Sequence, residues 1–171
     1  MKFPDPQKCI LPLADAVAWR NELRLAGKKL VVTNGCFDLM HRGHASYLRQ
    51  AAELGDELLV LINSDASVKK LKGDSRPLVS AQDRGYLLCS LKAVSRVVVF
   101  DGVRCAPELA ALSPDVYVKA GDYTLESLDP SERDALLNAH AQIVFAPFED
   151  GFSTTGIIEK IKATLNRDQR G

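Results

Sequence analysis

Two of the chain's three histidines, His41 and His44, stand three residues apart in the run Asn34-Gly35-Cys36-Phe37-Asp38-Leu39-Met40-His41-Arg42-Gly43-His44. Imidazoles at that spacing can face one anion across the start of a helix, and Gly43 keeps the space between them clear of a side chain. Gly35 and Gly43 let backbone approach a phosphate closely, and a helix opening at about Gly43 adds unpaired N–H groups with a partial positive charge. A lone histidine is more often a satisfied structural residue; here the pairing and the glycines favour an anion site. A metal reading is weaker, because Cys36 and Asp38 precede the pair with no second cluster at a zinc spacing.

Two other stretches could carry negative charge. Ser153, Thr154 and Thr155 open the last helix, with Ser153 as its N-cap, so hydroxyls and free N–H groups together make a second anion site. Between residues 65 and 84, Lys69, Lys70, Lys72, Arg76 and Arg84 outnumber Asp65, Asp74 and Asp83. Lys69 and Lys70 read equally well as a solvated face. Lys72 and Arg76 flank a Gly-Asp-Ser stretch of mobile-loop character and are better placed to close over phosphates.

The elements that position these residues alternate along the chain. Apolar spacing predicts a leading helix, Pro12 to Ala26, closed by Gly27. After it come strand Lys29–Thr33, helix Gly43–Leu54, strand Glu57–Asn63, helices Asp65–Leu71 and Ala81–Ala93, and strand Arg96–Phe100. Helix Cys105–Leu112, strand Val116–Lys119, helix Ser131–Ala139, strand Gln142–Ala146 and helix Thr154–Thr164 complete the order. Ser80 and Asp83 resemble a capping box at the start of the fourth helix. Five strands joined through helices imply right-handed crossovers, hence a Rossmann-like, doubly wound α/β domain: a mostly parallel five-stranded sheet covered on both faces. In such a sheet ligands bind beyond the carboxyl ends of the strands near the switch in strand order, and the paired histidines follow the first strand directly. The division expected is an N-terminal extension with one helix (1–27), a single catalytic domain (28–166) and a polar tail (167–171) that frays. The leading helix, with Trp19 on or near its apolar face, could pack on the domain or against a second subunit of a homodimer or higher homo-oligomer.

Composition agrees with one globular domain: 171 residues, 46% hydrophobic, with 22 basic residues balancing 22 acidic ones. A chain of this length removes roughly 70% of its unfolded surface from water. Zero net charge gives no overall field for a nucleic-acid backbone, and no local patch of that size stands out, so no nucleic-acid partner is expected. The apolar runs fall far below the roughly 18 residues of a membrane span, and Pro4 and Asp5 interrupt the place where a signal peptide would be apolar. A cytoplasmic protein without a membrane partner is the expectation. Cys9, Cys36, Cys89 and Cys105 match neither a metal knuckle nor a disulfide framework and read as reduced, mostly buried thiols.

The segment Gly-Cys-Phe-Asp-Leu-Met-His-Arg-Gly-His resembles the HxGH signature of the cytidylyltransferase-like nucleotidyltransferase superfamily, whose members have a Rossmann-like sheet. The resemblance continues through Asn63-Ser64-Asp65, the stretch from Val68 through Lys72-Gly73-Asp74-Ser75-Arg76-Pro77, and Arg84. It resumes in Lys119-Ala120-Gly121-Asp122-Tyr123 and Glu149-Asp150-Gly151-Phe152-Ser153-Thr154-Thr155. Taken together the segments resemble the D-glycero-β-D-manno-heptose 1-phosphate adenylyltransferases, which make ADP-heptose for the lipopolysaccharide core. In many bacteria that domain is fused to a sugar kinase; a chain this short resembles the stand-alone form. Ala120 stands where similar proteins often have a second glycine, and Gly156 where a longer polar residue is common.

What the resemblance implies is attack by a sugar 1-phosphate oxygen on the α-phosphorus of ATP, with release of pyrophosphate. A phosphate monoester is largely dianionic at neutral pH and needs no general base. The implied catalytic residues are His44 on the α-phosphate, His41 on the phosphate chain, and Lys72. Asn34, Gly35, Cys36, Phe37, His41, Gly43, His44, Arg84, Gly121, Asp122, Ser153, Thr154 and Thr155 would bind nucleotide, with Asp122 on ribose hydroxyls or an Mg²⁺-linked water. Asp38, Asn63, Lys72 and Arg76 would bind the sugar phosphate, Asp38 with the alternative of supporting a metal or orienting His41. The implied cofactor is Mg²⁺ or another divalent cation held mainly by substrate phosphates, with no metal site built from protein alone. Two other readings stay open: a CTP-dependent cytidylyltransferase acting on glycerol 3-phosphate or an amino-alcohol phosphate, and a non-catalytic nucleotide-binding module, which intact histidines and an intact Ser-Thr-Thr segment disfavour.

Overall fold

The computed structural model describes residues 5–147 and 151–168. Met1–Pro4 of the extension, Glu149 and Asp150 of the last matching segment, and the end of the tail, 169–171, lie outside the described residues.

Five strands form one parallel sheet: β1 (Leu30–Gly35), β2 (Glu57–Asn63), β3 (Arg96–Phe100), β4 (Val116–Ala120) and β5 (Gln142–Ala146). Their spatial order is β3-β2-β1-β4-β5. The chain therefore winds outward from β1 to β3, returns to lay β4 against the other side of β1, and winds outward again. The switch point lies between β1 and β4, which pair in register from Val31–Val116 to Thr33–Val118. Just beyond those paired residues the loops diverge and leave a crevice, the place where a sheet of this kind takes its ligand.

The strands stay put because both of their faces are buried. Leu30 and Val32 point into one core with Leu59, Leu61, Val98, Phe100 and Tyr117, while Val31 points into the other with Val60, Ile62, Val97 and Val118. This period of two, apolar on both faces, is what makes a central parallel strand read as an unbroken hydrophobic run. Each such side chain contributes about 1.5–3 kcal/mol on burial, so this set outweighs any single polar contact at the site.

Helices cover both faces: α1 (Leu13–Leu25), α2 (Arg42–Ala52), α3 (Asp65–Lys72), α4 (Ala81–Cys89), α5 (Ala106–Leu112), α6 (Pro130–Asn138) and α7 (Thr154–Asp168). α1 packs on its own domain, with Ala16 and Leu23 in the core of the first face, Val17 and Trp19 against it, and Arg96 5.0 Å over the indole ring. Gly27, at φ +67°, ends α1, and Lys28 N–H bonds back to Leu23 C=O at 2.9 Å. Ser80 caps α4 by accepting the Asp83 N–H at 3.2 Å; the Asp83 carboxylate takes the Ser80 hydroxyl at 2.6 Å instead of a backbone N–H, being shorter than the usual glutamate.

Most boundaries shift by one or two residues from the sequence expectation, and three differences are larger. α4 stops at Cys89, not Ala93, because Ser90 caps it and the chain turns to enter β3. A short 3-10 turn, Pro6–Cys9, precedes α1 and leads to Ile10, which bridges to Val97 on the edge strand. α7 continues to Asp168, four residues past Thr164 and through the first two residues of the expected tail. No helix among the described residues is long and apolar enough to cross a membrane.

Candidate active site

β1 ends in Asn34-Gly35, and α2 begins at Arg42, so the six residues between them turn over the crevice. Phe37 takes φ +49°, a left-handed conformation unusual for an aromatic residue. Its ring lies under Gly35, where a Cβ would come within 2.9 Å of it, so Gly35 is required for the turn to close. Strain of this kind persists only where surrounding structure over-determines it, and here the buried Phe37 ring is the anchor.

The two imidazoles meet as the spacing anticipated. Their centroids are 3.9 Å apart, with Phe37 5.3 Å from His44 on one side and Phe152 6.4 Å from His41 on the other. A Cβ on Gly43 would stand 3.1 Å from the His41 ring and 3.0 Å from Phe152 Cβ, so the glycine is what lets these groups converge. His44 Nδ1 accepts the His41 backbone N–H at 3.4 Å. That bond selects the tautomer with the proton on Nε2. Burial first, and the neighbouring His41 second, push the His44 pKa down to about 4; burial also lowers His41. At neutral pH His44 is therefore an uncharged donor through Nε2–H.

α7 brings its N-terminus to the same corner. Ser153 is its N-cap, accepting the Gly156 N–H at 3.0 Å, and Thr154 Oγ1 donates to Leu39 C=O at 3.3 Å, tying the helix start to the β1–α2 loop. His41, Gly43, His44, Lys72, Ala120 and Ser153–Thr155 line a cavity of about 620 Å³. A second cavity of about 470 Å³ adjoins it, walled by Asn34–Asp38, Asn63, Lys72, Arg76, Arg104, Lys119, Tyr123 and Glu132. His44, Tyr47, Lys72, Ala120, Thr154 and Thr155 belong to both. Two small molecules, one in each, would meet at His44 and Lys72.

Several expected residues are employed differently. Arg84 was expected to bind nucleotide, yet it is 0% exposed and lines neither cavity. Its guanidinium donates to Val79 C=O (3.0 Å), Cys36 C=O (2.5 Å), Asn63 C=O (2.8 Å) and Asp65 Oδ1 (2.8 Å). It is a strut that joins the loops after β1 and β2 to the start of α4. Asp38 neither touches His41 nor has an oxygen free for a metal. Its carboxylate accepts Arg76 Nε and the Leu78 and Val79 N–H groups, and it is 4% exposed. Burial works to raise its pKa, but those hydrogen bonds prevail and the net shift is downward. Arg76, expected to be loose, is thereby pinned by one edge to the loop it closes. Gly121 (φ +115°) and Asp122 turn the chain out of β4 and line neither cavity.

Asn63 is placed in the second cavity, but its amide already donates to Ser67 Oγ at 2.9 Å and its oxygen accepts from Cys36 Sγ at 3.7 Å. Burial raises the Cys36 pKa, so this thiol stays protonated and is no nucleophile. Among the described residues no group of three or more His, Cys, Asp or Glu side chains could hold a metal ion.

Lys119 was missed. Its Nζ sits in the second cavity and donates to Asn34 Oδ1 at 2.8 Å. The available signal was a lysine closing the apolar run Val116-Tyr117-Val118, since a charge at the carboxyl end of a buried parallel strand points at the crevice.

Comparison with known proteins followed the same lines. A family model described as Cytidylyltransferase-like matches residues 32–160. The "Bifunctional protein HldE" of Helicobacter pylori (strain ATCC 700392 / 26695) is 50% identical over 139 residues, 81% of this chain and 29% of that protein. The protein of the same name from Koribacter versatilis (strain Ellin345) is 46% identical over 158 residues, 88% of this chain and 32% of its own length. The chain thus spans about a third of the curated relatives it matches. A solved structure, the lipopolysaccharide core biosynthesis protein from Thermoplasma volcanium GSS1, aligns with TM-score 0.61 and 25% identity over 72% of this chain and 100% of its own.

Proposed function

The chain belongs to the cytidylyltransferase-like family, and on that premise we propose that it transfers AMP from ATP to D-glycero-β-D-manno-heptose 1-phosphate, forming ADP-heptose and pyrophosphate for the lipopolysaccharide core. The observation that carries this reading is the meeting of two cavities at His44 and Lys72, one bounded by a helix N-terminus and the other rich in cations. The half-identical HldE relatives and the lipopolysaccharide core neighbour support the choice of acceptor.

ATP lies in the larger cavity, with its β- and γ-phosphates on the N-terminal turn of α7 at Ser153–Thr155 and the α-phosphate beside His44. The acceptor's phosphate occupies the second cavity, so Asn34, Gly35, Cys36 and Phe37, expected to bind nucleotide, stand instead on the acceptor side. One of its oxygens forms a bond to the α-phosphorus as the bond from that phosphorus to the bridging oxygen breaks; the electron pair leaves with pyrophosphate. The acceptor is already a dianion at pH 7, so no base is required. His44 contributes a neutral Nε2–H donor aimed at charge that grows in the transition state, and Lys72 spans both substrates. A divalent cation such as Mg²⁺ would be held by the triphosphate's own oxygens and would supply charge neutralisation there; the carboxylate nearest the histidines in sequence, Asp38, is fully occupied by Arg76, Leu78 and Val79 and does not fit a metal-ligand role. The reaction belongs in the cytoplasm, where ATP is supplied.

The test is mass-spectrometric detection of product from ATP and the heptose 1-phosphate, run against CTP with glycerol 3-phosphate or ethanolamine phosphate. ADP-heptose from the first pair alone is expected. A CDP-linked product and no ADP-heptose would replace this assignment with the cytidylyltransferase one.

A further inference from the structure

Four cations wall the second cavity, and their partners differ. Arg76 pairs with Asp38, and Arg104 Nε lies 3.1 Å from Asp129 Oδ2. Lys72 and Lys119 pair with no carboxylate among the described residues. Lys119 Nζ has instead an amide oxygen, Asn34 Oδ1 at 2.8 Å, and the face of Tyr123, 5.3 Å to the ring centroid. The Tyr117 hydroxyl donates to the same Asn34 oxygen at 2.7 Å. An amide dipole and a ring face orient an ammonium without cancelling its charge.

The two lysines also differ in footing. Lys72 is the last residue of α3, exposed, before a glycine at φ +90°. Lys119 belongs to β4, between β1 and β5 at the switch point, and its partner Asn34 is on β1 itself.

We propose that Lys119 is the fixed cation that binds the acceptor's phosphate, with Lys72 closing on it from the exposed side, and that Asn34 and Tyr117 are positioning residues for the Lys119 ammonium. The inference deepens the nucleotidyltransferase reading and rests on its premise of a phosphate-ester acceptor. It also bears on acceptor class. Of the two carboxylates in this wall, Asp38 is fully engaged and Glu132, 3% exposed, gives Oε1 to the Cys105 N–H at 3.0 Å and Sγ at 3.3 Å. Four cations against two engaged carboxylates favour a phosphate ester with an uncharged, hydroxyl-bearing body over one that carries an ammonium.

Steady-state kinetics on the full chain test this with K119M, K119Q and K119R. Removing the charge should raise the acceptor KM roughly 10- to 100-fold, the worth of a charge-assisted hydrogen bond, while the ATP KM stays within about threefold. K119R should recover most of the loss, and Y117F, which keeps the charge, should give a smaller rise. K119Q reads the charge alone if the methionine disturbs folding. Calorimetric titration with inorganic phosphate separates this inference from the functional reading. Weaker phosphate binding in K119M, with no turnover of heptose phosphate by the wild type, would keep Lys119 and discard the acceptor. Turnover of any phosphate acceptor with an unchanged KM in both K119M and K119Q overturns the role of Lys119.

Discussion

Replacing His44 separates a neutral donor from a charged one. With His44 titrating at about 4, about one molecule in a thousand carries the imidazolium at pH 7. What the substitution removes is one preorganised Nε2–H, held in that tautomer by the His41 N–H on Nδ1. A donor of this kind is worth about 10²–10³ in turnover, or about 2.7–4 kcal/mol. H44A should therefore lose roughly that factor in kcat with little change in the ATP KM. H44Q, whose side-chain amide offers an uncharged donor at similar reach, should recover part of it. The pH profile distinguishes the cause. The acceptor's own second ionisation, near 6, should give an acidic limb in kcat/KM for wild type and both variants alike. In kcat/KM, which reports the free enzyme, His44 should add nothing between pH 6 and 8. Measuring kcat and kcat/KM from pH 5 to 8.5 checks this. Turnover of H44A within threefold of wild type, or a limb between pH 6 and 7 present in wild type and missing from both variants, would refute the neutral-donor mechanism.

Two other outcomes follow from the geometry. D38N should destabilise the fold by about 2–4 kcal/mol at pH 7, because Arg76 and the Leu78 and Val79 N–H groups lose a buried carboxylate. The folded pKa of Asp38 is lowered, so its contribution is complete above the unfolded value, about 3.8, and vanishes as pH falls through the folded one; urea melts should show the gap between the two proteins constant from pH 7 to 5 and narrowing only below about 3.8. G43A should leave the melting temperature within about 3 °C, since alanine favours a helix by up to about 1 kcal/mol, yet lower kcat/KM for ATP roughly tenfold or more as its methyl presses the His41 ring at 3.1 Å.

The sheet was legible because its strands are apolar on both faces, a pattern local in sequence, and the switch point followed from the order of elements. The paired imidazoles and the Ser153 cap were legible for the same reason: each depends on residues three apart. Asp38 and Arg84 were not. A charged residue near a phosphate motif reads as facing substrate, and only contacts spanning tens of residues, Arg84 to Cys36 or Asp38 to Val79, show it spent on the protein's own backbone. Lys119 escaped for the opposite reason: it looks like the polar end of a strand until β1 supplies Asn34 beside it.

Arg84 never meets either cavity, but three carbonyls that it gathers belong to segments on which the imidazoles and the acceptor wall depend. A scan that ranks positions by lost turnover would place it beside His44, although the proposed mechanism sets His44 on phosphorus while Arg84 only fixes where the loops stand. Dissecting this enzyme therefore calls for two rulers at every position, catalytic rate and melting behaviour, since a cation buried this deeply imitates a chemical participant in the first and betrays itself in the second.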